Sequence, residues 1–204
     1  MKPDEIEALS FKIIDKEAGQ HHFSSDQWQI VKRMIHTSAD FEYIKTVRFH
    51  PKAISAGINA ILQGRNIITD TNMAKAGIRQ NQLKQFNVSV ECLMADPNVI
   101  ETAKKTGKTR AQIAVDCAVS DMEKGIYAIG NAPTALLRLI ELVKENKAKP
   151  ALIIGLPVGF VNAEESKAAL MEMDYPFISN SSRKGGSNIA ASVVNALINI
   201  VLAK

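Results

Sequence analysis

The chain has 204 residues, 46% hydrophobic and 23% charged, enough apolar mass for one sizeable core and little for a second. Its net charge of +4 is scattered instead of gathered in a stripe, which speaks against a nucleic-acid binder and suits an acidic small ligand. No apolar run reaches membrane-spanning length and the first residues are polar and acidic, unlike a signal peptide, so a cytoplasmic protein with no membrane partner is expected.

Asp4 to Ala18 reads as a helix with Ile6, Leu9, Ile13 and Ile14 on its inner face, stopped by Gly19. Asp26 is placed to cap a second helix, with Trp28, Val31, Met34 and Ile35 at helical spacing, that runs out at His36-Thr37-Ser38. Pro51 opens a third, carrying Ile54, Ile58 and Ile61 and closed by Gly64. From there the pattern changes. Asn66 to Asp70 is a β-rich run, followed by a short helical stretch near Met73 to Gly77 and a second strand at Val88 to Cys92. Asp96-Pro97 starts a helix that Gly107 stops, and the capping box Thr109-Arg-Ala-Gln112 starts another that ends at Gly125. Ile126 to Ile129 is a third strand, and Pro133 to Asn146 a helix with Leu136, Leu137, Ile140 and Val143 turned inward. Ala151 to Leu156 is a fourth strand, followed by a capping-box-like helix start at Asn162-Ala-Glu-Glu165. Pro176 to Ser179 is a fifth, after which Ser187 caps a terminal helix carrying Ile189, Val193, Leu197 and Ile200. Five short strands alternating with helices call for a parallel sheet covered on both faces. The expected architecture is a single α/β domain over residues 1–204: three layers, α/β/α, with a five-stranded parallel sheet and an N-terminal helical extension.

Polar, glycine-bearing loops fall where strands hand over to helices: Ile129–Leu137, Gly155–Lys167 and Ser182–Asn188. In an open α/β sheet, ligands bind at the carboxyl ends of the strands, where glycine lets backbone N–H groups approach an anion. One pocket for a negatively charged ligand follows. His36, at a helix C-terminus with Thr37, Ser38 and Asp40 behind it, can hold a proton near neutral pH and act as a general acid. The same position also suits a solvated histidine that merely complements the helix dipole. Thr69, Asp70, Thr71 and Asn72 end the first predicted strand, and Asn131 precedes Pro133; each suits ligand hydrogen bonding or helix capping. Arg110 opposes the dipole at a helix start, which hints at carboxylate binding, and Arg183 and Lys184 form a basic loop beside Gly185-Gly186. Cys92 and Cys117 read as buried core thiols; no Cys/His pattern suggests a metal site or disulfide. P-loop, GxGxxG and GxSxG signatures are all absent. The set suits proton-assisted rearrangement of a bound anion better than hydrolysis or metal chemistry.

Six segments in order resemble one family: Arg33-Met-Ile-His-Thr-Ser-Ala-Asp-Phe41, Thr69-Asp-Thr-Asn-Met73, Gly107-Lys-Thr-Arg110, Gly130-Asn-Ala-Pro-Thr-Ala-Leu136, Gly155-Leu-Pro-Val-Gly-Phe-Val161 with Glu165-Ser-Lys-Ala-Ala-Leu170, and Arg183-Lys-Gly-Gly-Ser-Asn188. Together they look like the precorrin-8X methylmutases, over about Ser10 to Leu197. The resemblance implies a flavodoxin-like fold and a cobalamin-biosynthesis isomerase that moves a methyl group from C-11 to C-12 of a tetrapyrrole polycarboxylate. It implies a homodimer with the ligand at the subunit interface and no cofactor, cobalt being carried by the substrate when present. His36 matches the family's catalytic histidine and Ser10 a serine near the ligand, while Arg110, Arg183 and loop N–H groups would meet the substrate acids. Metal-free members often carry arginine where this chain has Asn72, so it looks more like the cobalt-containing members. The competing reading is a non-catalytic flavodoxin-like module for a phosphorylated ligand or flavin, with His36 dispensable.

Overall fold

The computed structural model describes residues 2–204. Six strands, β1 (Val47–Phe49), β2 (Ile67–Thr69), β3 (Val90–Glu91), β4 (Ile126–Ile129), β5 (Leu152–Gly155) and β6 (Phe177–Asn180), form one sheet in the order β1-β6-β5-β4-β2-β3. β2 to β6 run parallel, and β1 pairs antiparallel with β6, Val47 opposite Asn180. The helices are α1 (Pro3–Ala18), α2 (Ser25–Ser38), α3 (Tyr43–Thr46), α4 (Ala53–Leu62), α5 (Asn72–Gly77), α6 (Gln80–Leu83), α7 (Pro97–Thr106), α8 (Arg110–Cys117), α9 (Pro133–Lys144), α10 (Ala163–Met171) and α11 (Ser187–Leu202).

β2, β4, β5 and β6 are buried on both faces, as parallel strands between helix layers must be. Alternation sorts their side chains. Ile126, Ala128, Leu152, Ile154 and Ile178 join the core under α2, α4 and α11. Tyr127, Ile129, Ile153 and Phe177 join the opposite core under α8, α9 and α10. α11 is the keel of the first layer: it packs on α2, α4 and α5, and twelve of its residues are buried.

The sheet has six strands where five were expected. The extra one is β1, three residues long, too short for its alternation to register as a period. It closes the β6 edge, and its exposed Arg48 discourages further strand addition. Several local readings are also corrected. α2 is capped by Ser24, whose hydroxyl accepts from Gln27 N–H, and not by Asp26. α8 ends at Cys117, well before Gly125. Asn162 makes no side-chain cap, and Gly186, not Ser187, is the N-cap of α11. Ile6, Leu9 and Ile13 of α1 are exposed, and only Ile14 of that face is buried. Cys117 is exposed and Cys92 half-buried, so neither is a core thiol.

Candidate active site

The carboxyl ends of β2, β4, β5 and β6 bring their loops together, and backbone hydrogen bonds stitch them into one surface. Val158 N–H donates to the Gly130 carbonyl (3.3 Å), Gly159 N–H to the Arg183 carbonyl (3.2 Å), and Gly186 N–H to the Leu156 carbonyl (3.0 Å). The β4–α9 loop lies hard against the start of α11: a Cβ on Gly130 would sit 2.6 Å from Ser187 Cα. The Thr71 and Ser187 hydroxyls, 2.7 Å apart, tie the β2–α5 turn to the same helix start.

Asp70 sits at the centre, between β2 and β4, where the strand order reverses direction. It is 1% exposed. Its carboxylate accepts from the backbone N–H groups of Gly130 (2.9 Å), Asn131 (2.8 Å) and Ala132 (2.8 Å). Burial raises its pKa above the ordinary value, and those three N–H groups offset only part of that rise. The N–H groups expected to face an anionic ligand at α9 are therefore occupied by an anion of the protein itself. Thr69 is likewise turned inward, donating to the carbonyls of Thr71 (3.1 Å) and Glu91 (3.2 Å). Thr71 caps α5 through Ala74 N–H, while the side chains of Asn72 and Asn131 are exposed on the surface.

His36 lies in the last turn of α2, which ends at Ala39 in the left-handed conformation (φ 53°). Ser10, His36, Ile13, Ile14, Ile35 and Phe41 are among the residues lining one cavity of about 440 Å³. The His36 ring lies 5.1 Å from the Phe11 ring, centroid to centroid. Two residues far apart in sequence, both singled out there, thus share a wall of one open space. Asp40 does not serve His36. Its carboxylate pairs with Lys184 Nζ (2.5 Å), which also reaches Glu42 (2.7 Å), and the Lys184 contact holds the Asp40 carboxyl below its usual range. This ion-paired group ties the end of α2 to the β6–α11 loop.

Arg183 stands 62% exposed on that loop, 3.8 Å from Glu164, its guanidinium 5.8 Å from the Phe160 ring. Phe160 and Val161 are themselves 85% and 78% exposed. Arg110 occupies a different wall: with Lys104 and Lys108 it lines a cavity of about 340 Å³. It joins the strand ends through Thr109, whose hydroxyl donates to Thr134 at the start of α9 (3.2 Å). Among the described residues no group of His, Cys, Asp and Glu could hold a metal ion.

Sequence reading passed over Lys167, which is completely buried in α10 and donates to Asn180 Oδ1 (3.0 Å) and to the carbonyls of Lys184 (2.8 Å) and Ser182. The available signal was its spacing: Ala163, Ser166, Lys167 and Leu170 form the buried face of α10, and a lysine there must find acceptors.

Comparison with known proteins shows the family. Residues 5–200 match the family described as precorrin-8X methylmutase. The chain belongs to the precorrin-8X methylmutase family. A cobalt-precorrin-8 methylmutase of Priestia megaterium is 46% identical over 97% of this chain and 88% of its own length. One from Salmonella typhimurium is 40% identical over 97% and 95%. The crystal structure of a precorrin-8X methylmutase from Thermus thermophilus superposes with a TM-score of 0.93 at 44% identity, covering 98% of this chain and 97% of that one. Family membership makes this methylmutase an isomerase of cobalamin biosynthesis.

Proposed function

We propose that the substrate is cobalt-precorrin-8, that a methyl group moves from its C-11 to C-12 to give cobyrinate, and that His36 is the general acid. The observation that carries this reading is the cavity shared by His36 and Ser10 at the end of α2. Its volume lies within the range of about 300–1,000 Å³ common for ligand sites. In the shift the C-11–methyl bond breaks as the C-12–methyl bond forms, so no external methyl acceptor is required. His36 donates a proton or hydrogen bond to the ring region where electron density redistributes, and the enzyme works by binding a reactive conformation and stabilising that charge. Arg183 and Arg110 receive substrate carboxylates, with Asn72, Thr71 and Asn131 as polar contacts and Thr69 and Asp70 as the scaffold beneath them. No separate cofactor takes part; the cobalt arrives in the macrocycle. Asn72, and the cobalt-precorrin names of several relatives, support the cobalt form.

The cavity is lined by apolar Ile13, Ile14, Ile35 and Phe41 together with polar Ser10, Glu17 and His36. Ile6, Leu9 and Ile13 of α1 support a homodimer in which a second copy completes the site. The order of the five parallel strands, β3-β2-β4-β5-β6, supports the flavodoxin-like description. Two cysteines without a disulfide suit the cytoplasm. The test is a visible-absorption titration with cobyrinate and hydrogenobyrinate, with turnover of cobalt-precorrin-8 by wild type and His36→Ala. Tighter binding of cobyrinate and loss of turnover in the variant are expected. Preference for hydrogenobyrinate overturns the cobalt assignment, and undiminished turnover in His36→Ala overturns the acid.

A further inference from the structure

The β6–α11 loop, Ser181–Gly186, has no regular secondary structure, yet it must present a fixed face to a ligand. Its backbone carbonyls point inward. Those of Ser182 and Lys184 both end on Lys167 Nζ, and the third donor position of that ammonium is filled by Asn180 Oδ1. Asn180 works from the same side: its amide donates to the Ser182 hydroxyl (2.8 Å) and to the Lys184 carbonyl (3.1 Å). An ammonium has three donors, and here all three have acceptors with none of them a carboxylate. Burial alone pulls the Lys167 pKa down to about 8, with Glu164 opposing. Lys167 is fully buried and its three donors end on protein acceptors, so none is free for a substrate. A buried charge that meets only the inner side of a ligand-facing loop has a function in the shape of that loop. With the carbonyls held in, the Arg183 side chain is held out.

We propose that Lys167 is a positioning residue: its buried ammonium, bonded to the Ser182 and Lys184 carbonyls and to Asn180, fixes the β6–α11 loop so that Arg183 faces the substrate carboxylates. The proposal rests on the assignment of Arg183 to substrate binding. The last turn of α2, which carries His36, has its own closure, Ala39 N–H on the Ile35 carbonyl (2.7 Å) and Ser38 Oγ on the Met34 carbonyl (2.8 Å), and meets the loop only beyond that turn, through the Asp40–Lys184 ion pair. Loss of Lys167 therefore weakens binding and leaves the chemical step nearly intact.

The experiment measures cobyrinate dissociation constants, and kcat and KM with cobalt-precorrin-8. The proteins are wild type, Lys167→Met, Asn180→Ala, Arg183→Ala and the double variants with Arg183→Ala. Lys167→Met should raise both Kd and KM about tenfold, the size of one lost charge-assisted contact. Its kcat should stay within about threefold of wild type, because no transition-state contact is removed. In the Arg183→Ala background the same substitution should change Kd by less than about twofold, the sign of two residues acting as a unit. A merely structural lysine would lower Tm and give additive effects on Kd, and that additivity overturns the proposal. Should Lys167→Met fail to fold, Asn180→Ala loosens the same loop from the same side, and an unchanged Kd in it overturns the proposal equally. A wild-type protein that binds no cobyrinate overturns the substrate assignment itself. One that binds, with Arg183→Ala showing no loss, removes the role of Arg183 and with it that of Lys167.

Discussion

His36 and Asp70 were both marked by the sequence as polar residues at the end of an element, and the structure separates them. His36 is exposed at the rim of a cavity, whereas Asp70 is buried beneath the loops. His36→Ala should therefore lower kcat by about 10²–10⁴-fold, the usual contribution of a general acid. It should shift Tm by no more than about 1–2 °C, as surface substitutions do. Steady-state kinetics beside thermal unfolding checks both halves. Asp70→Ala should do the reverse. It strands three backbone N–H groups in the interior and should cost about 3 kcal/mol or more of stability, measured by denaturant unfolding. The residue types were legible in the sequence, but their exposure was not: whether a strand-end aspartate faces ligand or neighbouring backbone depends on a loop about sixty positions away.

At the scale of elements, helix and strand placement was readable wherever apolar period and caps agreed, as in α7, α9, β4 and β5. It failed where an element is too short for its period to repeat, as in β1 and α6, or where the buried face is set by a distant partner. α1 shows the second case: its Ile6, Leu9 and Ile13 stripe has helical spacing and yet stands in solvent on the single chain. The joint between α2 and the β6–α11 loop was equally hidden, because Asp40 and Lys184 lie 144 positions apart. That joint has a pH signature. The Asp40 pKa is lowered in the folded protein, so its pairing stabilises the fold above the ordinary value of 3.8 and is lost as pH falls through the lowered one. Lys184→Ala should thus be less stable than wild type at neutral pH, and the gap should close below pH 3.8 as the carboxyl protonates. Thermal unfolding of both proteins across that range tests it; a gap independent of pH contradicts the pairing. Gly130→Ala probes the next joint, where the new methyl would meet Ser187 and Gly186 backbone atoms at 2.6–2.7 Å. Such overpacking should cost about 1–3 kcal/mol, again read by denaturant unfolding.

For the whole molecule, the α/β class and the parallel run of β2 to β6 could be read from the order of elements. Apolar periodicity did not carry the number of copies, because exposed apolar residues on a helix look in sequence like core residues; a homodimer was implied by the family resemblance alone. If α1 is a subunit contact, wild type should sediment at twice the mass of one chain. Leu9→Lys with Ile13→Lys should sediment as a single chain, since two buried charges undo an interface of about 1,200–2,000 Å². A wild-type protein that remains a single chain at micromolar concentration would rule the contact out.

The Asp70 carboxylate resting on the N–H groups of Gly130, Asn131 and Ala132 has a consequence for competition inside a cell. Free phosphates and nucleotides abound there, and a vacant row of N–H groups at the start of α9 would collect them. A carboxylate fixed to β2 has a local concentration above the roughly millimolar value of even a short flexible tether. No dissolved anion outbids a ligand that never diffuses away. On the proposed reading, discrimination at this edge passes from backbone N–H groups, which bind almost any anion, to the side chains of His36, Arg110 and Arg183. Their spacing can be matched to the scattered acids of one large ring, and a scarce biosynthetic intermediate can find its site amid a large excess of commoner metabolites.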